Sequence, residues 1–492
     1  MSINQRYLPA GTFLNRILLG LAILACLSLM AHSTFAQEKT AGGDREVWTG
    51  TLQAGPTKLR LDFVIETDQA GKMSATMISI DQGGVKIAVE TVEIDANSIK
   101  MTLPQIAGSF EGKLNEAGDE CEGTWKQGPA SLPLTIKRKA AAKPTAIPKK
   151  KVWEDRPQRP KEPFPYLSTD VTIKNNAAGM ELAGTLTMPK SDKPVPAIVL
   201  VSGSGPQDRD ETLMGHKPFL VIADHLSRNG IAVVRYDDRG VGKSTGNFAK
   251  CITDDFASDT QAVVEFLATQ QGIDSTKIGI LGHSEGGIIA PMVANQTDKV
   301  AFNILLAGPG VDGATIINSQ SKAIAAGMGA SPEQLALSAS LNKRLFKIIR
   351  DNQDQEDIKD ALLAEFDQWL ETLDEPERTA AAASRSAISQ FSGAWYRNFI
   401  VYDPAPALAK NRCPTLAILG GKDLQVLQDV NQSAIQEALD KNGVAGNELV
   451  VFDDANHLFQ TAKTGLLNEY ETIDQTIKPE VLDKFVTWIK QR

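Results

Sequence analysis

The sequence predicts an α/β unit with a helical cap, a mainly parallel sheet covered by helices on both faces, preceded by an all-β barrel or sandwich domain. Three observations predict this. From about residue 166 onward, short apolar strands alternate with helical patterns. Between 45 and 138, apolar and polar residues alternate in runs broken by glycine. A stretch rich in proline and lysine separates the two.

Each segment follows in order. The first 36 residues contain no acid and two arginines, Arg6 and Arg16, and the apolar run Ile17 to Met30 leads to small residues ending at Ala36. A basic start, a short apolar centre and small residues before a cut predict a secretory signal peptide over 1–36, cleaved after Ala36, and hence an exported protein, periplasmic or secreted. The run is shorter than the roughly 20 residues a membrane span requires, so no span is expected after cleavage. Loss of the two arginines takes the net charge from −9 to −11, a poor match for nucleic acid or anionic lipid. Cys121, Cys251 and Cys413 remain, an odd number without a disulfide framework. There is no H-E-x-x-H and no C-x-x-C, and neither a metal nor a cofactor is expected.

Residues 37–138 form the predicted β domain. Leu59, Leu61, Phe63 and Ile65 alternate with polar neighbours, and Trp48-Thr-Gly50 and Gly123-Thr-Trp125 suggest two strands that meet. An accessory packing role and a glycan- or lipid-binding role both fit this domain. Residues 139–165 read as a stiff, solvated linker, with six prolines from Pro144 to Pro165.

The α/β unit spans 166–492. Its predicted strands are Asp170–Lys174, Met180–Met188, Ala197–Val201, Ile231–Tyr236, Ile278–Leu281, Ala301–Leu306, Thr415–Leu419 and Glu448–Phe452, with helices between and after them. The interruption at about 312–403 is helical. Ser331-Pro332-Glu333-Gln334 is a capping box, and Ile358, Leu362, Phe366, Trp369, Leu370 and Leu373 share one face. Placed after the strand that follows the elbow described below, this insertion forms a cap. Trp395, Tyr396, Phe399 and Tyr402 either line a pocket under it or pack it down.

The chemistry begins at Gly282-His283-Ser284-Glu285-Gly286, set between an apolar strand and an apolar helix. In this setting G-x-S-x-G forms a nucleophile elbow. The turn from strand to helix strains the serine backbone and lifts its hydroxyl clear of the sheet, and glycines permit the close approach of neighbouring chain. A second match, Gly242-Lys-Ser244-Thr-Gly246, lacks that setting, and Ser244 reads as a loop residue. A serine nucleophile needs a base. His283 adjoins the nucleophile, His225 lies in a helix and His216 precedes it, which leaves His457, in the loop after the last strand. Asp423, directly after the strand 415–419, is the expected carboxylate partner, with Asp312 as the alternative. The oxyanion donors are expected to be the backbone N–H of Glu285 and, from the loop Ser202-Gly203-Ser204-Gly205-Pro206, that of Ser204.

With these residues placed, the chain resembles the exported α/β-hydrolase esterases of the serine-aminopeptidase-like and dienelactone-hydrolase-like group. The resemblance rests on Gly203-Ser-Gly-Pro-Gln-Asp-Arg-Asp210, Tyr236-Asp-Asp-Arg-Gly-Val-Gly-Lys-Ser244, Gly282-His-Ser-Glu-Gly286, Gly421-Lys-Asp-Leu-Gln-Val426 and Asn456-His-Leu-Phe459. It implies the α/β-hydrolase fold and carboxylesterase activity on a small-molecule ester, through a Ser284–His457–Asp423 triad, and it implies that Tyr236 to Ser244 is an ion-paired structural turn. Many members carry histidine where this chain has Ser202. Amide, peptide and thioester substrates suit the same machinery.

Overall fold

The computed structural model describes residues 44–139 and 156–492, apart from 55–56, 68–72, 80–84, 96, 104–107, 128–129 and 383. The expected signal peptide and most of the expected linker lie outside the described residues.

Nine strands build the first unit: β1 Asp44–Ala54, β2 Thr57–Thr67, β3 Met73–Ser79, β4 Val85–Val89, β5 Thr91–Ile94, β6 Ser98–Leu103, β7 Gly108–Leu114, β8 Glu120–Gln127 and β9 Ala130–Arg138. They form one antiparallel sheet in the order β4-β3-β2-β1-β9-β8-β7-β6-β5. The two edge strands are separated in sequence by Glu90 alone, so the sheet curls into a nearly closed barrel. The alternation seen in the sequence has a direct cause. Leu61, Phe63 and Ile65 point inward and pack with Trp48, Phe110 and Trp125. The strands carrying Trp48 and Trp125 do not meet, because β9 runs between them. Thr-Gly and Gly-Thr spacing reports where side chains must be small, not which strands are partners.

The second unit has eight strands: β10 Tyr166–Asn175, β11 Met180–Pro189, β12 Val195–Val201, β13 Ala232–Tyr236, β14 Ile273–His283, β15 Phe302–Leu306, β16 Thr415–Gly420 and β17 Glu448–Phe452. Their order is β10-β11-β13-β12-β14-β15-β16-β17. The β10–β11 and β11–β13 pairs are antiparallel, and the rest are parallel. A parallel sheet is buried on both faces, which is why its strands read as nearly continuous apolar runs. One face packs Ile198, Leu200, Val233 and Ile304 against the helices Pro218–Arg228 and Pro479–Ile489. The other packs Val199, Val234, Ile280 and Leu305 under the helices Thr253–Ala268 and Gly286–Gln296. Each such side chain, once buried, contributes about 1.5–3 kcal/mol.

The cap fills the interval between β15 and β16 and opens on the helix Gly313–Gly327. Ser331 and Gln334 satisfy each other's backbone N–H groups at the start of the helix Pro332–Asp351, as the capping-box pattern predicts. Ile358, Leu362, Phe366, Trp369, Leu370 and Leu373 are all buried.

The solvated linker ends sooner than its composition suggests. Arg156 is 5% exposed and donates to the carbonyls of Ile473, Met214 and Glu471 at 2.7, 2.9 and 2.9 Å. A guanidinium carries five donors, and here loop carbonyls supply its acceptors, so the basic residue becomes an anchor.

Candidate active site

Strand β14 ends at His283 and a helix starts at Gly286, which leaves Ser284 and Glu285 to make the whole turn. Ser284 pays for that with a left-handed backbone, φ 52°, in a non-glycine residue. A Cβ on Gly282 would sit 1.9 Å from the Gly286 carbonyl oxygen, and one on Gly286 would sit 2.3 Å from that of Val201. The two flanking glycines are therefore steric requirements of the turn. The Ser284 N–H donates to the Leu306 carbonyl at 2.9 Å, which pins the elbow to the neighbouring strand.

Asp423 and His457 lie on the loops after β16 and β17, at the same end of the sheet as the elbow. His457 Nδ1 donates to Asp423 Oδ2 at 2.8 Å. The other Asp423 oxygen accepts the N–H groups of Gln425 and Val426 at 2.7 and 2.9 Å, so the carboxylate cannot rotate away. Asn456 holds the histidine loop, its Oδ1 accepting from the Leu458 and Gln460 amides. A neutral His457 that donates from Nδ1 keeps a lone pair on Nε2. Asp312 is elsewhere employed: it caps the helix Gly313–Gly327 by accepting from the Thr315 N–H. Of the two acids weighed from the sequence, Asp423 is the one beside His457.

Ser284, His457, Ser204 and Glu285 all line one cavity of about 160 Å³. Leu213, Met214, Pro309, Phe399, Val426 and Leu458 contribute apolar wall, and Ile316 and Ile317 extend it from the first cap helix. Of the four cap aromatics, Phe399 reaches this cavity, Tyr396 is buried in the cap core, and Trp395 stacks on Phe399 at 4.7 Å. In the 202–206 loop, the Gly203 N–H is committed to Glu211 Oε1 at 2.9 Å.

Glu285 is 3% exposed, and its carboxylate accepts from Thr253 Oγ1 and from Trp395 Nε1. Burial drives its pKa upward against those hydrogen bonds. The indole of Trp395 thus ties the cap to the elbow. Asp238, also buried, is pushed well above the usual carboxylate range by desolvation, with Glu285 and Asp259 adding to the effect.

The remaining histidines divide cleanly. His225 pairs with Asp483 at the helix surface. His216 is buried and bonds Thr476 Oγ1 and the Tyr470 carbonyl, and desolvation lowers its pKa to about 4. His283 turns away from the serine toward Glu211 and the His457 carbonyl. Ser244 is a buried loop staple, donating to the Asp237 carbonyl and accepting from the Ala183 N–H. The turn around it is ion-paired, Asp237 with Arg209 and Arg239 with Asp259, as the resemblance implies. Sequence reasoning missed Glu211, which carries no motif, and gave His283 no role although it sits inside the elbow motif. Among the described residues no cluster of His, Cys, Asp and Glu has the geometry to hold a metal.

The model of the X-Pro dipeptidyl-peptidase (S15) family matches residues 178–458, more than half of the chain, including Ser284, Asp423 and His457. The chain belongs to the S15 family. Within the S15 match, the strand order and the strand–elbow–helix turn are those of an α/β hydrolase. This S15 chain is also similar to esterase EstD of Thermotoga maritima, with 25% identity over 329 residues, 67% of this chain and 68% of that protein. Solved structures similar to it include a Pyrococcus furiosus esterase, Pf2001, at 16% identity and a TM-score of 0.40, covering 66% of this chain and 91% of that one. Another is the α/β hydrolase GrgF from Penicillium sp. sh18, at 15% identity and a TM-score of 0.41, covering 67% and 99%. No described helix is long and apolar enough to cross a membrane.

Proposed function

We propose that this protein is an exported serine hydrolase that cleaves carboxylic esters through an acyl-enzyme. One observation carries the reading: the strained elbow at Ser284 opens into the same cavity as His457, whose Nδ1 is locked to Asp423 at 2.8 Å. Ser284 Oγ attacks the ester carbonyl carbon while His457 Nε2 takes its proton. Asp423 stabilises the imidazolium that forms. The backbone N–H groups of Glu285 and Ser204 receive the oxyanion, each worth about 10²–10³ in kcat. Commitment of the Gly203 N–H to Glu211 supports Ser204 as the second donor. Collapse of the tetrahedral intermediate expels the alcohol with the proton from His457. Water, deprotonated by the same ring, then releases the acid.

The family name favours a second reading, cleavage of a peptide bond after an X-Pro dipeptide. Such a substrate presents a protonated amine and calls for a receptive carboxylate. The two carboxylates among the lining residues, Glu211 and Glu285, are already engaged by His283, Gly203, Thr253 and Trp395. The apolar wall therefore favours an uncharged acyl group. Export rests on the sequence of residues 1–36, and a mature N-terminus at Gln37 in protein recovered from outside the cytoplasm checks it.

The test compares p-nitrophenyl acyl esters with X-Pro p-nitroanilides on the purified protein and its Ser284→Ala variant. Turnover of the esters, lost in the variant, is expected. Preference for the anilides would select the peptidase reading, and equal turnover by the variant would remove both.

A further inference from the structure

We propose that Glu211 and His283 form a charged brace that positions the oxyanion loop and the histidine loop relative to Ser284. The proposal rests on the serine-hydrolase reading above. His283 is 5% exposed, and both of its ring nitrogens face acceptors: Nδ1 meets Glu211 Oε1 at 2.8 Å, and Nε2 meets the His457 carbonyl oxygen at 2.9 Å. An ionised carboxylate and a carbonyl only accept, so the ring supplies an N–H to each and is an imidazolium. His216 is the contrast, since its second nitrogen faces a hydroxyl that can donate and the ring stays neutral.

Glu211 Oε1 also accepts the Gly203 N–H at 2.9 Å, directly before the peptide unit that carries the Ser204 N–H. One buried ion pair thus joins the loop after β12, the last residue of β14 and the backbone of His457. Glu211 is itself left-handed, φ 51°, and 5% exposed, which places backbone strain at a buried non-glycine residue. The His283 ring further packs on that of His457, with centroids 4.6 Å apart. Neither residue reaches a reacting atom through these bonds. They are positioning residues.

The titratable groups facing His283 are Glu211 from the loop after β12, His457 from the loop after β17 and Asp423 from the loop after β16. Burial works against the charged ring, but the attraction of Glu211 and the two hydrogen bonds outweigh it, and the His283 pKa is raised. Above that pKa the ring loses a donor and one arm of the brace is released.

The experiment measures ester hydrolysis by Glu211→Gln and His283→Phe, together with the ¹⁵N spectrum of histidine-labelled full-length wild type. Expected are a fall in kcat of about 100-fold at little-changed KM in both variants, and an alkaline decline in kcat that starts about one pH unit lower in Glu211→Gln. Two protonated ring nitrogens are expected for His283 at neutral pH. Folded variants with wild-type kcat and pH profile would overturn the brace, and so would an unprotonated His283 Nδ1 in the wild type, a reading that stands whether or not the variants fold. A wild type that turns over no ester would instead remove the esterase reading, leaving the spectrum to decide the charge on His283.

Discussion

The barrel and the hydrolase unit solve different problems, and their interiors differ accordingly. The barrel core is apolar, built on Trp48, Phe63, Phe110 and Trp125, and its ion pairs, such as Lys100–Glu111 and Lys137–Glu120, sit on the outside, where water screens them. The hydrolase unit buries charge instead, at Arg239–Asp259, Arg209–Asp237 and His283–Glu211. Among the described residues, every non-glycine residue with positive φ lies in it: Glu211, Met214, Ser284, Ala307 and Phe459. Three of these, Glu211, Met214 and Ser284, line the cavity itself. Strain and buried charge oppose folding, so they persist only where surrounding contacts over-determine the backbone. The contrast places the strained backbone and the buried ion pairs in the second unit, the one that holds the cavity.

Substitutions can break or sharpen that contrast. The largest effect is expected at the elbow: Ser284→Ala should lower kcat about 10⁶-fold without unfolding the protein, as steady-state kinetics and circular dichroism will report. Asp423→Asn removes the charge that fixes the His457 tautomer while keeping its shape, and kcat should fall about 10⁴-fold. In the barrel the sign of the contrast reverses. Trp48→Ala should destabilise its own unit by about 3–5 kcal/mol in denaturant unfolding and leave kcat for a short ester unchanged. A fall in kcat there would make the barrel part of the machinery.

The smallest effect is a pH dependence. His216 is neutral when folded, with its pKa lowered to about 4 from an ordinary 6.5, so the unfolded chain binds the extra proton between those values. Its stabilising contribution is present above pH 6.5 and lost as pH falls toward 4, on the order of 3 kcal/mol in all. Thermal melts of His216→Asn across that range should lose this part of the slope.

Local signals were readable along the chain and long-range ones were not. Strand alternation at Leu61, Phe63 and Ile65 and the Ser331 capping box are each decided by neighbours in sequence, and the elbow glycines are legible as a short motif although Gly286 is held small by Val201 on another strand. Asp423 and His457 could be placed because strand C-termini converge at one end of a parallel sheet, which topology alone dictates. The Glu211–His283 bond spans 72 positions and the Trp395–Glu285 bond spans 110, and neither partner's local pattern announces the other. Arg156 illustrates the opposite failure. Its basic, proline-rich surroundings suggest solvent, yet carbonyls more than 300 residues away in the chain bury it.

The whole account turns on where the acyl group goes. Rapid quenching of the full-length protein with an activated acyl ester, followed by peptide mass spectrometry, locates it. The account predicts one acyl adduct, on the peptide containing Ser284, that disappears as product is released. Turnover with no adduct at Ser284, or with an adduct on another residue, would contradict it.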